Sequence, residues 1–172
     1  MKARGGGQLD GYTYNKDEEF LQIYQAHKKT VFGIAFNYTK NQADANDIVQ
    51  EVFMKYYTNQ KIFNGEDHIK AWLIRVSVNA SKKHLISAWM RKTVPLDETI
   101  PFEHKEDSGL FEVVMALPKN YRLVVHLYYY EGYSISEIAS ILGAKEGTIK
   151  VRLMRARDML KLRLKEVWLD EE

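Results

Sequence analysis

Cysteine is absent from this 172-residue chain, and its absence excludes several chemistries at once. Disulfides, thiolate nucleophiles, zinc fingers and iron–sulfur clusters all require cysteine. The lack of thiols fits a reducing compartment, so a cytoplasmic location is expected. No apolar run approaches the roughly 20 residues that span a bilayer, and no signal-peptide core is present. Direct insertion into a membrane is therefore not expected.

The chain also has little net charge and no pattern typical of an active site. The formal net charge is only +2, but the basic residues concentrate in the last third of the chain, which indicates a local anionic partner. No phosphate-cradling glycine loop and no nucleophile motif is present. Five scattered histidines form no ligand pair at metal spacing: His27, His68, His84, His104 and His126. We expect neither an enzyme nor a cofactor or metal site.

Apolar residues recur at helical spacing through nearly the whole chain, which predicts an all-α fold. One long helix is expected around Phe20–Phe36 and a more amphipathic one around Ala45–Tyr56. A third is expected from Ile69 to about Arg91, after a turn at Asn64-Gly65.

Two stretches lack this periodicity. Residues 1–16 begin Gly-rich and unpatterned, and we interpret them as a disordered arm or a remnant of expression. Residues 92–108 contain two prolines and several acids, which is typical of a flexible linker. The predicted architecture is therefore two small helical domains, residues 17–91 and 109–172, joined by that linker.

The segment from Tyr133 to Arg157 has the pattern of a helix-turn-helix. Ser134 and Glu137 form a capping box at the start of its first helix, and Gly143 can take the left-handed conformation that ends it. A second helix is expected from Glu146 or Gly147. Lys145 stands where a Ser or Thr would normally cap that helix, a loss that typically costs ~1 kcal/mol.

The second helix of this segment is apolar on one face and basic on the others. Its inward residues recur every three or four positions: Ile149, Leu153, Ala156 and Leu160. Basic residues lie on the remaining faces: Lys150, Arg152, Arg155, Arg157, Lys161, Arg163 and Lys165. This combination predicts binding to DNA, whereas an ordinary helical hairpin with a solvated basic face is the plainer alternative.

Two blocks in the first domain carry polar faces beside their apolar stripes. Residues 43–57, ADANDIVQEVFMKYY, place Asp44, Asp47, Gln50 and Glu51 opposite the apolar side. Residues 69–85, IKAWLIRVSVNASKKHL, group Arg75, Asn79, Lys82 and Lys83. Such a basic and amide face can hold phosphates and unstacked bases, although a solvated helix face would look similar.

These two blocks, followed by Leu117–Arg122 and Glu137–Arg157, resemble the sigma-70 family of bacterial transcription initiation factors, in particular its extracytoplasmic-function (ECF) group. The resemblance covers roughly residues 17–165 in order and spacing. It departs from the family pattern at Asn46, where Glu is usual, at Lys145, and at Val151, where a small polar residue is common.

The resemblance implies that the first domain docks on the clamp helices of core RNA polymerase and captures the melted minus-10 promoter element. The docking residues would be Asp47, Gln50 and Glu51. The minus-10 residues would be Asn79, Lys82, Lys83 and Arg75, and the segment from about Lys61 to Asp67 would shape the pocket for a flipped base.

The resemblance also implies that the second domain reads the duplex minus-35 element. Base-edge contacts would come from Lys145, Glu146, Lys150, Val151 and Met154. Arg152, Arg155 and Arg157 would include phosphate contacts, with some turned away from DNA. The linker would thread the polymerase toward its RNA exit channel, a path that suits its acidic residues Asp97, Glu98, Glu103, Glu106 and Asp107.

Members of this group are usually held inactive by an anti-sigma protein that covers both domains, so such a partner is also expected. The aromatic run Tyr128–Tyr130 would suit that partner or packing within the second domain. Two other functions remain as alternatives. One is a helix-turn-helix regulator of duplex DNA that dimerises through its first domain, and the other is a protein that binds polymerase without directing initiation.

Overall fold

A computed structural model of the chain describes residues 10–59, 61–91 and 108–169, and every regular element in those ranges is helical. The first domain consists of α1 (Asp10–Thr39), α2 (Gln42–Thr58) and α3 (Glu66–Arg91). The second consists of α4 (Ser108–Met115), α5 (Lys119–Val125), a π-helical segment (His126–Tyr130), α6 (Ile135–Leu142) and α7 (Glu146–Leu169). The all-α prediction is confirmed. The predicted linker lies outside the described residues except for Ser108, which begins α4.

Helix α1 begins earlier than the sequence predicted. Residues 10–16 are helical, so that part of the expected disordered arm is wrong, while residues 1–9 lie outside the described residues. Two contacts with α2 hold this end: the Tyr57 hydroxyl donates to Asp17 at 2.9 Å, and Lys16 Nζ lies 4.6 Å from the centre of the Tyr57 ring. These contacts stabilise an early turn that the glycine-rich flank does not predict.

The first domain is a three-helix unit with its own apolar centre. Its buried residues include Val31 on α1, Val52 and Phe53 on α2, and Leu73 on α3. The α1–α2 turn is tight, with Lys40 at a φ of 52°. The Asn41 side chain accepts the amide of Asp44 at 2.9 Å and so caps α2.

The second domain follows the local sequence signals closely. Pro118 precedes α5, the Ser134–Glu137 capping box is formed on both sides, and Gly143 adopts a φ of 63° at the end of α6. The predicted helix-turn-helix is therefore present as α6 and α7. None of the described helices is long and apolar enough to cross a bilayer.

The two domains pack against each other and share one buried cluster. It combines Ile34 and Tyr38 of α1 and Ile74 and Val78 of α3 with residues of the second domain. Those residues are Leu123, Val124, Leu127, Ile138, Ala139, Ile141, Ile149 and Leu153. Apolar burial is worth about 25 cal/mol per Å², so this shared cluster supplies much of the attraction between the domains.

Each domain also supplies one arginine that caps a helix of the other. Arg75 of α3 donates from Nε to the Ile141 carbonyl at 3.2 Å and from Nη2 to the Ser140 carbonyl at 2.7 Å. Arg122 of α5 donates to the Asn37 carbonyl near the end of α1. The last carbonyls of a helix lack intrahelical donors and carry partial negative charge, so a guanidinium satisfies both needs.

Candidate nucleic-acid interface

The outward face of α7 is open and carries most of the residues predicted to read the minus-35 element. Inside, Ile149 and Ala156 are fully buried and Leu153 is nearly so, which fixes the rotation of the helix. The residues on the opposite side are exposed: Lys145, Glu146, Lys150, Val151, Met154 and Arg155. The Lys145 carbonyl accepts the Thr148 amide at 2.9 Å, so Lys145 stands at the helix start, where backbone amides favour an anion.

Two arginines of α7 are engaged within the protein. Arg157 donates from Nε to the Tyr129 hydroxyl at 2.6 Å and lies over the rings of Tyr128 and Tyr129. Arg152 is half-buried and lies near Tyr38 of the first domain, where burial raises the tyrosine pKa to about 12 and the Arg152 charge opposes that rise. Arg155 is exposed, and Arg157 also stays exposed despite its contacts with the two tyrosines.

The tyrosine run is divided between partners within the chain and solvent. Tyr129 holds Arg157, and Tyr130 stacks on the His126 ring at 5.1 Å while three quarters of its surface stays exposed. The exposed part of the run therefore leaves room for a partner, although its inner edges already pack within the second domain.

Helix α3 presents a second continuous face. Asn79, Lys82 and Lys83 are exposed and line a shallow pocket with Ile86, Ser87 and Met90. Positions 79, 82, 83, 86, 87 and 90 follow the three- and four-residue spacing of one helix face. Trp89, which is 81% exposed, lies beside this face. The sequence reasoning did not include the apolar end of this α3 face, at Ile86 and Met90. Continuing the same three- and four-residue spacing past Lys83 would have found it.

Arg75 belongs to the same block, but its side chain contacts α6 instead of joining the other three predicted minus-10 residues. Both of its donating nitrogens bind backbone carbonyls of the second domain. The structure thus brings Asn79, Lys82 and Lys83 together and places Arg75 at the domain interface.

The predicted polymerase-docking residues lie on the outer face of α2. Asp47 and Gln50 are exposed, whereas Glu51 is half-buried and accepts Lys55 Nζ at 2.6 Å. That hydrogen bond and the Lys55 charge lower the pKa of Glu51 against the opposing effect of burial. Met54 is 61% exposed one turn further along. The sequence reasoning left Met54 out, although it lies four positions after Gln50.

The loop before α3 has an anchored base and an apolar tip. Phe63 packs against Trp72 at 5.5 Å and His68 at 5.4 Å between ring centroids, and the Asn64 amide donates to His68 Nδ1. Ile62 points outward and is 90% exposed. An apolar side chain held in water at this position suits contact with a base or another protein.

The sequence reasoning also missed a buried carboxylate that contacts three other side chains, Glu131. Glu131 follows the π-helical segment, and its side chain is only 6% exposed. It accepts Lys70 Nζ at 3.1 Å and the Thr30 hydroxyl at 3.2 Å, and His126 Nε2 lies 3.5 Å away. Its position directly after the π-helical segment His126–Tyr130 left no periodic signal. Across the described ranges, no three His, Asp or Glu residues form a group suited to a metal ion.

Comparison with known proteins agrees with this arrangement of surfaces. The family description "Sigma-70 region 2" matches residues 23–91, and "Sigma-70, region 4" matches residues 110–160. The chain is 33% identical over 144 residues to RNA polymerase sigma factor SigV of Bacillus subtilis. The aligned region covers 80% of this chain and 86% of that protein. It is 28% identical to the ECF RNA polymerase sigma-E factor of Escherichia coli over 137 residues, 68% of this chain and 72% of that one.

A solved structure with the same fold is the sigma factor RpoE in complex with the anti-sigma factor NepR from Bartonella quintana. The two structures superpose with a TM-score of 0.72 at 23% sequence identity. The superposition covers 86% of this chain and 98% of that chain. Taken with the sequence relatives and the helix-turn-helix geometry, these similarities establish that the chain belongs to the ECF group of the sigma-70 family and is a promoter-directing transcription initiation factor.

Proposed function

We propose that the chain binds core RNA polymerase through the outer face of α2 and places two separate surfaces on promoter DNA. In this proposal residues 17–91 form the domain that binds polymerase and the minus-10 element, and residues 109–172 form the domain that reads the minus-35 element. The observation that supports it is that three exposed helix faces differ in chemistry. The face of α2 is acidic, the face of α3 combines lysines with an asparagine, and the face of α7 combines basic and apolar side chains.

The acidic face of α2 suits a protein partner. Asp47 and Gln50 are exposed and form no side-chain hydrogen bond or ion pair within the described ranges, and Met54 extends their face with an apolar side chain. Glu51 is held by Lys55, so we propose it as the edge of this docking surface. Interfaces of this kind combine a polar rim with a few apolar anchors, a role that Met54 fits.

The face of α3 suits single-stranded DNA. Lys82 and Lys83 supply charge for phosphates, Asn79 supplies donors and an acceptor for a base edge, and Ile86 and Met90 supply apolar contact area. Stacking on aromatic side chains is worth about 1–3 kcal/mol per base, and Trp89 is exposed enough to provide it. Holding an unstacked base in this way offsets the few kcal/mol lost on leaving the stack. The exposed Ile62 at the loop tip is proposed as a further contact for that base.

The outer face of α7 suits the major groove. The proposed base readers are Lys145, Glu146, Lys150, Val151 and Met154, with Arg155 on phosphates. Val151 and Met154 are apolar, so they can contact thymine methyl groups, whereas Lys150 can donate to guanine. Arg152 and Arg157 would join the DNA contacts only after leaving Tyr38 and Tyr129.

We also propose an anti-sigma protein as a partner, because RpoE of Bartonella quintana, which has the same fold, was solved with one. A cytoplasmic location is proposed as well, since its partners would be polymerase and promoter DNA.

Run-off transcription with core polymerase and a library of randomised promoters tests the function. The proposal requires new start sites that depend on this chain and share a minus-35 and a minus-10 sequence. Binding to duplex DNA without core polymerase, together with no transcription, would support a duplex regulator instead. Binding to polymerase without new start sites would leave only a polymerase-associated protein.

A further inference from the structure

Resting on the function proposed above, we propose that the C-terminal end of α3 is a further DNA contact, on the base pairs just upstream of the minus-10 element. Asn79 holds the melted strand, whereas Trp89 and Met90 contact the same strand where it is still paired with its complement. Ile86, between them, stays with the single strand. The promoter preference of the chain therefore includes spacer positions next to the minus-10 element.

The last turns of α3 carry large apolar side chains that the described part of the chain leaves uncovered. Ile86 is 61% exposed, Trp89 is 81% exposed and Met90 is 73% exposed. Contiguous apolar patches on a soluble protein mark contact surfaces, whereas a single exposed apolar residue needs no partner. Asn79 and Met90 line the same shallow pocket, so this apolar end continues the face that is proposed to hold single-stranded DNA.

The charge of this part of the sequence favours an anionic partner. Residues 68–96 contain no aspartate or glutamate but six lysines and arginines: Lys70, Arg75, Lys82, Lys83, Arg91 and Lys92. The first two contact the second domain, whereas Lys82 and Lys83 are exposed one to two turns before Met90. Basic and apolar side chains on one face suit DNA. The continuity with Asn79 favours promoter DNA over a lipid or protein surface.

The order of the chain sets the direction in which this end of α3 points. After Arg91 the chain enters the linker and then the domain that is proposed to read the minus-35 element. The C-terminal end of α3 therefore faces upstream along the promoter. DNA upstream of the melted element is duplex, because the minus-35 element is read as paired DNA. A strand held unpaired at Asn79 thus becomes paired as it runs along α3 toward Met90.

The length of the α3 face limits how far this contact reaches. Met90 lies eleven positions after Asn79 on the same helix. An α-helix rises 1.5 Å per residue, which places the two residues roughly 16 Å apart along the helix axis. Each base pair advances about 3.4 Å along duplex DNA. The face can therefore extend up to about five base pairs beyond the base that Asn79 holds.

The apolar chemistry of this end predicts which base it prefers. Thymine displays its C5-methyl group in the major groove, and an apolar side chain is favoured against that methyl group. Met90 has an unbranched, adaptable side chain that can follow an irregular surface, and Trp89 adds a large ring beside it. We therefore expect a preference for thymine within the few base pairs that α3 reaches.

Replacing thymine with deoxyuridine tests this contact, because the exchange removes only the C5-methyl group. Core polymerase with the full chain is bound to a promoter that has a premelted minus-10 element and thymines in the base pairs that α3 reaches. Deoxyuridine at the contacted position should weaken binding about fourfold, the factor that corresponds to one methyl group withdrawn from apolar contact. Deoxyuridine farther upstream in the spacer should have no effect. No loss at any position within reach of α3 would overturn the proposal.

Variants of α3 assign the methyl contact to its side chains. Met90→Gln keeps the length of the side chain but removes its apolar character, so it should reduce the deoxyuridine effect. The pair Trp89→Ser with Met90→Gln should abolish the effect while far-UV circular dichroism stays unchanged. Leu21→Gln, at a position of α1 where the leucine is 53% exposed, should behave like the native chain on both DNAs. A deoxyuridine effect that survives in the double variant would place the methyl contact elsewhere in the complex and refute the proposal.

A single-stranded minus-10 oligonucleotide separates the duplex contact from the single-strand site. The complex carrying Met90→Gln should bind this oligonucleotide as the native complex does, whereas Asn79→Ala should bind it more weakly. Equal losses for the two variants would assign Met90 to the single-strand site and reject the duplex contact. Normal transcription without a deoxyuridine effect would sink this inference alone. If the native complex neither binds the oligonucleotide nor starts transcription, the proposed function fails and this inference fails with it.

Discussion

The guanidinium of Arg122 and the backbone carbonyl of Asn37 are 85 residues apart in sequence, and the carbonyl accepts from both Nε and Nη2 of the arginine. Nη1 of Arg122 also donates to the Met115 and Leu117 carbonyls at 2.8 Å each. The Arg122 side chain is 2% exposed, and it donates hydrogen bonds to carbonyls at the C-terminal ends of both α1 and α4. Burial lowers the pKa of Arg122 to about 10, which leaves it charged at neutral pH.

Arg122→Ala should lower the free energy of unfolding by roughly 3–4 kcal/mol, because each buried acceptor left without a donor costs about 1–3 kcal/mol. Arg122→Lys should fall between native and alanine, since an ammonium cannot reproduce the planar fork. Urea titration followed by circular dichroism measures both. Arg163→Ala, at an exposed position of α7, should stay within about 0.5 kcal/mol. A similarly small effect of Arg122→Ala would contradict the assignment.

Lys150→Ala and Lys82→Ala should weaken promoter binding in different ways. Lys150 lies on the base-reading face, so its loss should relax the minus-35 sequence preference by about 1–3 kcal/mol at one base pair. Lys82 is proposed to contact phosphate, so its loss should weaken binding about equally for all sequences and reduce the salt dependence. Binding of the complex with core polymerase to a promoter library measures both effects. Equal losses on every promoter for both variants would reject this division of roles.

Asp47→Lys should reduce binding to core polymerase while the helical content and thermal stability stay unchanged, because the side chain is exposed and carries only surface charge. A pull-down with core polymerase at several ionic strengths measures the loss. Glu18→Lys, the same charge change on the exposed side of α1, serves as the matched control. Unchanged binding of Asp47→Lys would remove this residue from the docking surface.

Acid should weaken the contact between the domains through Glu131. Burial opposes ionisation of this carboxyl, but Lys70 and His126 outweigh it and hold the pKa at about 2, below the ordinary 4.5. A lowered native pKa means that the stabilisation is complete above about pH 4.5 and declines as the pH falls toward 2.

The comparison with Glu131→Gln isolates this group from the other carboxylates. The native chain should show the larger loss of unfolding free energy between pH 5 and 3, and the difference between the two proteins should shrink steadily over that interval. Parallel pH profiles would show that Glu131 contributes no more than an ordinary surface carboxylate.

The local elements could be predicted from the sequence because their signals are local. Ser134 and Glu137 lie three residues apart, and Gly143 sits where a left-handed residue is needed, so α6 and its turn need no tertiary information. The burial of Ile149 and Leu153 followed from helical spacing for the same reason.

The packing between the domains could not be predicted in this way. Ile74 and Val78 are buried in the cluster shared by the two domains, and helical spacing within α3 does not show which residues of the other domain cover them. Arg75 has the same ambiguity, because a phosphate and the end of a helix both present partial negative charge to a guanidinium. Only the fold separates these partners, and it assigns Arg75 to Ser140 and Ile141.

The two arginine caps bind backbone carbonyls, which every residue type possesses. Exchanging the side chain at Asn37, Ser140 or Ile141 therefore leaves the acceptor atom in place, provided the helix end keeps its shape. Contacts are often inferred from positions that change together in related sequences. No such correlated change is expected here, because the acceptor is a backbone atom that substitution does not remove. The polar contacts of Arg75 and Arg122 across the domain boundary would thus be visible in sequence variation on the arginine side alone.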